Sequence, residues 1–239
     1  MTRAYDERFD DKVRDVCGLY RRAQELTAAG ERVITTDELT GVQALERKYP
    51  ELPLAPGKVE RREFEYVRRG TRSFIFSRDV ASGKIIAPYC AATRKEEDFL
   101  AHIKAVIASD PAAKRWRFVV DNLDTHRSAS LVKLVAEVSR LDLELGKKGK
   151  SGILKNRQTR VAFLSNPSHK IVFHYTPKHC SWLNQIEIWF SILSRKLLRR
   201  GNFTSVEDLR AQVMAFVEHY NQTMAKPFKW TYQGKVLVA

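Results

Sequence analysis

Residues 171–200 read IVFHYTPKHCSWLNQIEIWFSILSRKLLRR. The first residues form a buried strand, the Thr176-Pro177 step a turn, and the remainder a long amphipathic helix. Leu183, Ile186, Phe190, Leu193 and Leu197 recur at steps of three and four and make one apolar stripe. Asn184, Glu187, Ser191 and Ser194 run beside it as a polar stripe. Glu187 is the one acid of the helix and sits at the margin of the buried face, not on the open face where a solubilising acid belongs. Arg195, Lys196, Arg199 and Arg200 close the helix, where cations suit both the helix dipole and phosphate. An acid at the edge of a core, close to a basic surface, points to a metal ligand facing nucleic acid.

Working outward, the whole chain fits that reading. It has 239 residues and a formal charge of +14, which implies a polyanionic partner, nucleic acid before membrane. No apolar run approaches the roughly 20 residues of a spanning helix, and the charged N-terminus has no signal-peptide core. Three cysteines without a CxxC pair read as a reduced, intracellular protein with neither a disulfide framework nor a cysteine zinc site.

Upstream, residues 5–29 have helical spacing and stop at Gly30, a segment too short for a helix-turn-helix domain. Residues 1–30 are therefore an N-terminal helical extension and 31–239 the main domain. Arg32 to Glu38 is a β-branched run ending in acids, a strand with Asp37 at its C-terminal end. Residues 39–70, rich in Pro, Gly and Arg, read as an irregular basic loop. Ser73–Arg78 and Lys84–Tyr89 form a hairpin around Ser82-Gly83. Thr93 and Glu96 suggest a capping box for a helix to Ile107. Trp116–Val120 is a buried strand running into Asp121, and Ser128–Leu141 a helix. Residues 142–169 break the rhythm with a flexible basic segment, GKKGKSG at 146–152, which lacks the first glycine of a P-loop. Thr204 and Glu207 suggest the cap of a last helix. Hairpin first and alternation later give an α/β fold, a mixed sheet with helices on both faces.

Asp37 and Asp121 each end an apolar strand. Sites of open α/β sheets gather at the carboxyl ends of strands, so neighbouring first and fourth strands bring the two acids together, and the Glu187 helix completes an all-oxygen cluster. Carboxylates are the hard ligands of Mg²⁺ or Mn²⁺, and two such ions serve phosphodiester chemistry. Each acid alone reads equally as a turn former or cap. Asp124 competes with Asp121, though Asp121 ends the apolar run directly. Glu38 competes with Asp37, though alternation sends it to the other face. Asp79, beside a hairpin turn, reads as structural. His174, His179 and Cys180 lack the second pair of a zinc site; His179 reads as a phosphate contact or as an ordinary histidine. Trp182, Trp189 and Phe190 read as core, whereas Trp230 and Tyr232 are open to DNA or a second subunit.

TTDELTGVQALERKYP (35–50), VVDNLDTHRS (119–128) and the block from His174 to Leu209 resemble the three motif blocks of mariner-type DDE transposases, in the bacterial insertion-sequence branch. The resemblance spans about residues 31–235. It implies a ribonuclease H-like, integrase-like five-stranded sheet with Asp37, Asp121 and Glu187 as the catalytic, metal-binding acids and two Mg²⁺ or Mn²⁺ ions as cofactors. It also implies cleavage at transposon ends followed by attack of the freed 3′-OH on target DNA at a TA dinucleotide. The same resemblance implies a homodimer or larger synaptic complex, in which residues 41–70 clamp a partner, and a bacterial cytoplasmic, nucleoid-associated location. Lys178, His179, Arg195, Lys196, Arg199, Arg200, Arg61 and Arg62 are the candidate DNA contacts. The family carries N-terminal helix-turn-helix domains, so end recognition is expected from a separate domain or chain. The interval between Asp121 and Glu187, residues 122–186, exceeds the family's usual one, and the excess reads as an insertion at 142–169. The competing readings are a structure-selective metal-dependent nuclease, with the same acids, and a non-catalytic DNA-binding remnant.

Overall fold

A computed structural model of the chain describes residues 6, 8–52, 55–61 and 63–232. Helix α1 (Phe9–Ala28) precedes strand β1 (Glu31–Arg47), β2 (Tyr66–Asp79) and β3 (Ile85–Ala91). Then come α2 (Glu96–Ala108), β4 (Arg115–Val120), α3 (Ala129–Val138), α4 (Arg157–Leu164), β5 (Ile171–Tyr175), α5 (Ile186–Leu193) and α6 (Val206–Thr223). The five strands form one mixed sheet in the order β3-β2-β1-β4-β5. β1 pairs antiparallel with β2 and parallel with β4, and β4 pairs parallel with β5. The expected α/β fold, with the first and fourth strands adjacent, is the observed one.

Strand alternation distributes the core to both faces. Ile34, Phe118 and Phe173 point to one side, where α2, α3 and α4 cover them with Phe99, Ile103, Leu131, Val135 and Leu164. Val33 and Val119 point to the other, under Val13, Val16 and Tyr20 of α1. On that same side of the antiparallel half, Phe74 and Phe76 meet Trp189, Phe190 and Leu193 of α5 and Val213 and Val217 of α6. At the start of the β3 edge, the Asn221 amide of α6 donates to the Ile85 carbonyl and accepts from the Ile85 N–H, both at 2.8 Å.

Residues 39–70 are not the irregular loop expected. β1 runs on to Arg47 and β2 begins at Tyr66, so the two leave the sheet as a long antiparallel ribbon, continued by bridges at Leu52–Arg61 and Ala55–Lys58. Val42 and Ala44 at the ribbon's root are buried under α5 and α6, but register shifts interrupt their alternation and residues 66–71 of β2 are exposed, so no regular apolar alternation is left to read. Register shifts between Leu39 and Val42 and between Gln43 and Leu45 mark bulges at its root, and Gly41 has the positive φ (67°) that such a bulge favours.

The 142–169 stretch is likewise folded, not a flexible tether. Leu154 and Leu164 are buried in the core and α4 lies within it, capped by Asn156. The late helix is shorter than expected. A 3-10 turn (Ser181–Leu183) precedes α5, and a π-helical turn (Ser194–Leu198) follows it. Two caps differ by local hydrogen bonding. Asp98, not Glu96, accepts from the Lys95 N–H at 2.8 Å, while Glu96 accepts from the backbone of Ser130 and caps α3 instead. At α6 the Ser205 hydroxyl accepts from the Asp208 N–H at 3.0 Å, and the Asp208 carboxylate, not Glu207, accepts from the Thr204 N–H at 2.9 Å.

Candidate functional site

β4 stays paired with β1 only as far as Thr35, so Asp37 lies just past the point where the two strands part, and Asp121 immediately follows β4. The parallel pairing brings these two ends side by side. Asp37, Asp121 and His126 offer ligand atoms that all lie within 4.8 Å of one another. Asp37 accepts a hydrogen bond from the Glu38 N–H at 2.8 Å, and Asp121 accepts from Leu123 N–H at 2.8 Å.

His126 is the residue that sequence reading missed. It lies in a 3-10 turn (Asp124–Arg127) and is fully buried. Its Nδ1 is 2.7 Å from an Asp121 oxygen and its Nε2 3.1 Å from Glu38 Oε2. The ring lies against Phe99, centroids 4.2 Å apart, and Tyr175 donates to the His126 carbonyl at 2.8 Å. Glu38 does point away from Asp37's partners, as alternation requires, but it returns to the site through this imidazole. The sole sequence signal was a histidine five residues after a strand-ending acid, next to a phenylalanine-bearing helix that the sequence does not place.

The electrostatics follow from burial and like charge. Burial, and then the neighbouring Asp121 charge, push the Asp37 carboxyl up to about 7. Burial opposes ionisation of Asp121 and Glu38 too, but the hydrogen bonds and charge of His126 hold both below the ordinary carboxylate range. Burial alone would lower His126; its bonds to the two acids prevail and raise it to about 10. The imidazole thus lies between two carboxylates and supports Asp121 from behind.

Glu187 stands in the first turn of α5, and the start of that helix is tied to three elements. Asn184 donates to the Thr36 carbonyl at 3.1 Å, next to Asp37. Tyr20 of α1 donates to the Leu183 carbonyl at 2.9 Å, and the buried Arg78 of β2 donates to Gln185 at 2.8 Å. Asn184 and Gln185 are almost completely buried. The Glu187 carboxylate is half-buried, raised by that burial, and has no hydrogen-bond or ion-pair partner among the described residues. It does not join the 4.8 Å group: two of the three expected acids are brought together, and the third stands off on its own helix.

The rival acids are engaged elsewhere. Asp79 accepts from Ser82 in the hairpin turn, and Asp124 pairs with Arg157 at 2.6 Å. Asp37, Asp121 and the unpartnered Glu187 carry only hard oxygen donors, and the two aspartates compete for charge at one spot; this donor set fits a divalent cation.

The candidate DNA contacts divide into separate groups. Lys178 and His179 are exposed just before α5, His179 with a positive φ of 59°. Arg195 and Lys196 are exposed in the π-helical turn and Arg199 and Arg200 just beyond it, where Arg47 of the ribbon donates to the Arg200 carbonyl. Arg61 is exposed on the ribbon, and Arg62 lies outside the described residues. His174 pairs with Asp15 of α1 at 2.7 Å. Trp189 and Phe190 are core, but Trp182 is 44% exposed, its ring 5.4 Å from that of Tyr232. Trp230, in contrast, packs on Tyr20 and donates to Cys17 Sγ at 3.3 Å. No described helix is long and apolar enough to cross a membrane.

A family model described as DDE superfamily endonuclease matches residues 32–210. No curated protein sequence matches the chain. Among solved structures, the Mos1 mariner paired-end complex with Mn is similar over 96% of this chain and 58% of that one, with a TM-score of 0.58 at 13% identity. The Mos1 strand transfer complex is similar over 91% and 55%, with a TM-score of 0.55 at 10% identity. At such identities the likeness is one of fold. The chain spans little more than half the length of these relatives.

Proposed function

The chain belongs to the DDE superfamily of endonucleases, and from that premise we propose that it is the catalytic part of a DNA transposase. In this reading water first attacks a phosphodiester at a transposon end, releasing a 3′-OH. That hydroxyl then attacks a target phosphodiester, at TA sites, and displaces a target 3′-oxygen. The observation that carries the reading is the meeting of Asp37 and Asp121 at the ends of adjacent parallel strands, with an unpartnered Glu187 on a helix tied to the same strand. Those three carboxylates would hold two divalent ions, Mg²⁺ or Mn²⁺. When bound, such ions supply Lewis-acid activation of the attacking oxygen and charge stabilisation of the leaving one.

The chain's own residues do the rest. His126 fixes the Asp121 carboxylate from behind and keeps it ionised. Asp37 releases its proton to serve as a ligand. Lys178, Arg195, Lys196, Arg199 and Arg200 hold phosphates without reading bases. The Mos1 structures are described as a paired-end complex with Mn and a strand transfer complex, which supports DNA as the partner and assembly of two or more copies around paired ends. The ribbon of β1 and β2, which exposes Leu52, Val59 and Phe64, is the element suited to reach a second copy. A bacterial insertion-sequence origin and a cytoplasmic, nucleoid-associated site of action complete the proposal.

The test is joining of a labelled, pre-cleaved transposon end to a target plasmid in Mn²⁺, with Glu187→Gln as control. Joined product that disappears in the variant is the expected result. Metal-dependent nicking without joining would leave a nuclease, and DNA binding without any product would leave a binder.

A further inference from the structure

Between Glu144 and Glu187 the sequence has no acid, yet it has lysines at 147, 148, 150 and 155 and arginines at 157 and 160. A charge run of this kind would ordinarily be a solvated tether. Here it is folded on itself. Lys147 N–H donates to the Ser151 carbonyl, Lys150 and Ser151 N–H to the Lys147 carbonyl, and Leu154 N–H to the Leu145 carbonyl. A Cβ on Gly146 would lie 2.3 Å from the Ser151 carbonyl oxygen, so the two sides of the turn approach as closely as glycine allows. Leu154, 4% exposed, plugs the turn into the core.

The turn is tied to the start of α2 and, through α4, to the segment that follows Asp121. Arg157 pairs with Asp124 at 2.6 Å, Arg160 donates to the Arg127 carbonyl at 2.7 Å, and Lys148 lies 3.6 Å from Glu96. Asp124 and Arg127 bound the short turn that carries His126, itself 2.7 Å from Asp121. With those three cations used as fasteners, Lys147, Lys150 and Lys155 remain exposed, and no carboxylate pairs with them among the described residues. Cations held in an ordered frame without counter-charges suit a ligand with many regularly spaced anions. Their backbone is already ordered, so less freedom is lost on binding.

We infer that the folded lysine turn of residues 145–155 is a second, sequence-independent grip on duplex DNA, taking its phosphate backbone through Lys147, Lys150 and Lys155. The inference rests on the transposase reading and adds to it a surface outside the α5 contacts. Each phosphate neutralised contributes about 0.9 to the slope of log affinity against log salt.

The test measures binding of the full chain to a labelled duplex of arbitrary sequence, in EDTA, between about 50 and 200 mM salt. Lys147→Ala/Lys150→Ala/Lys155→Ala is compared with Arg14→Ala/Arg22→Ala/Lys104→Ala, which removes the same charge from α1 and α2. The lysine-turn variant should have a slope shallower by about 2 to 3, with an unchanged melting temperature, while the α1–α2 variant keeps the parent slope. An unchanged slope in the lysine-turn variant, or an equal loss in both, would overturn the inference. Failure of the parent chain itself to bind DNA would remove the transposase reading instead.

Discussion

Replacing His126 by leucine should destabilise the metal-free fold more than any other single change at the site. The magnitude follows from what is stranded. The Glu38 side chain is 3% exposed and His126 is its one charged partner among the described residues, so the substitution leaves a buried carboxylate with only the Thr125 hydroxyl at 3.5 Å, which costs about 3 to 5 kcal/mol. Asp121 also loses its partner, but its side chain is 38% exposed and water screens it, so it adds little. Glu38→Leu should cost less, because Asp121 still faces Nδ1 and the imidazole can shed its proton. The double substitution removes both buried charges and should recover most of the stability. Urea unfolding followed by tryptophan fluorescence in EDTA at pH 7 gives the cycle. His126 is raised from 6.5 to about 10 in the fold, so its contribution is full below about 6.5 and fades as pH rises through about 10. The deficit of His126→Leu should shrink over that range. Strictly additive single substitutions, or a deficit that grows with pH, would refute the bridging role.

Two further perturbations follow from the same geometry. Asp37 is raised from 3.8 to about 7, so its ionisation opposes folding as pH climbs through that interval. Asp37→Asn should stabilise the chain in EDTA at pH 8 by about 2 to 4 kcal/mol and do nothing at pH 3, as read from urea midpoints at both pH values, while abolishing metal-dependent cleavage. Asn184→Ala removes the buried bond that ties the start of α5 to Thr36. It should cost about 1 to 3 kcal/mol and slow strand joining with little change in DNA affinity, measured by chemical denaturation and the joining assay.

What the sequence made legible were features carried by single elements or by chain order. Ile186, Phe190 and Leu193 gave the buried face of α5 by spacing alone, with Leu183 extending it into the preceding turn. Asp37 and Asp121 announced themselves by ending apolar strands, and the hairpin-then-alternation order gave the sheet. What escaped depended on partners distant in sequence. β1 beyond Glu38 and the first half of β2 are held by each other's backbones; Val42 and Ala44 are buried, but the register shifts beside them and the exposed residues 66–71 break the hydrophobic period that would signal strands. His126 matters only because α2, β1 and β4 converge on it. Asp98 and Glu96 could not be separated as caps without knowing that Ser130 lies within reach of Glu96.

β1 belongs to two bodies at once. Over Glu31–Thr35 it pairs with β4 and from Ile34 to Arg47 with β2, and beyond Thr35 it is half of a ribbon whose root, at Val42 and Ala44, is still buried under α5 and α6. Seventeen residues at about 3.3 Å each make a rod some 55 Å long, and the Asp37 carboxylate sits just past the part paired with β4. The bulges at Leu39–Val42 and Gln43–Leu45 lie outboard of it, and that stretch is braced: Val42 and Ala44 are buried, the Phe203 N–H donates to the Leu45 carbonyl at 2.9 Å, and the Arg47 N–H donates to Asn202 at 2.7 Å. A load taken at the far tip therefore meets this braced root before it reaches the carboxylate.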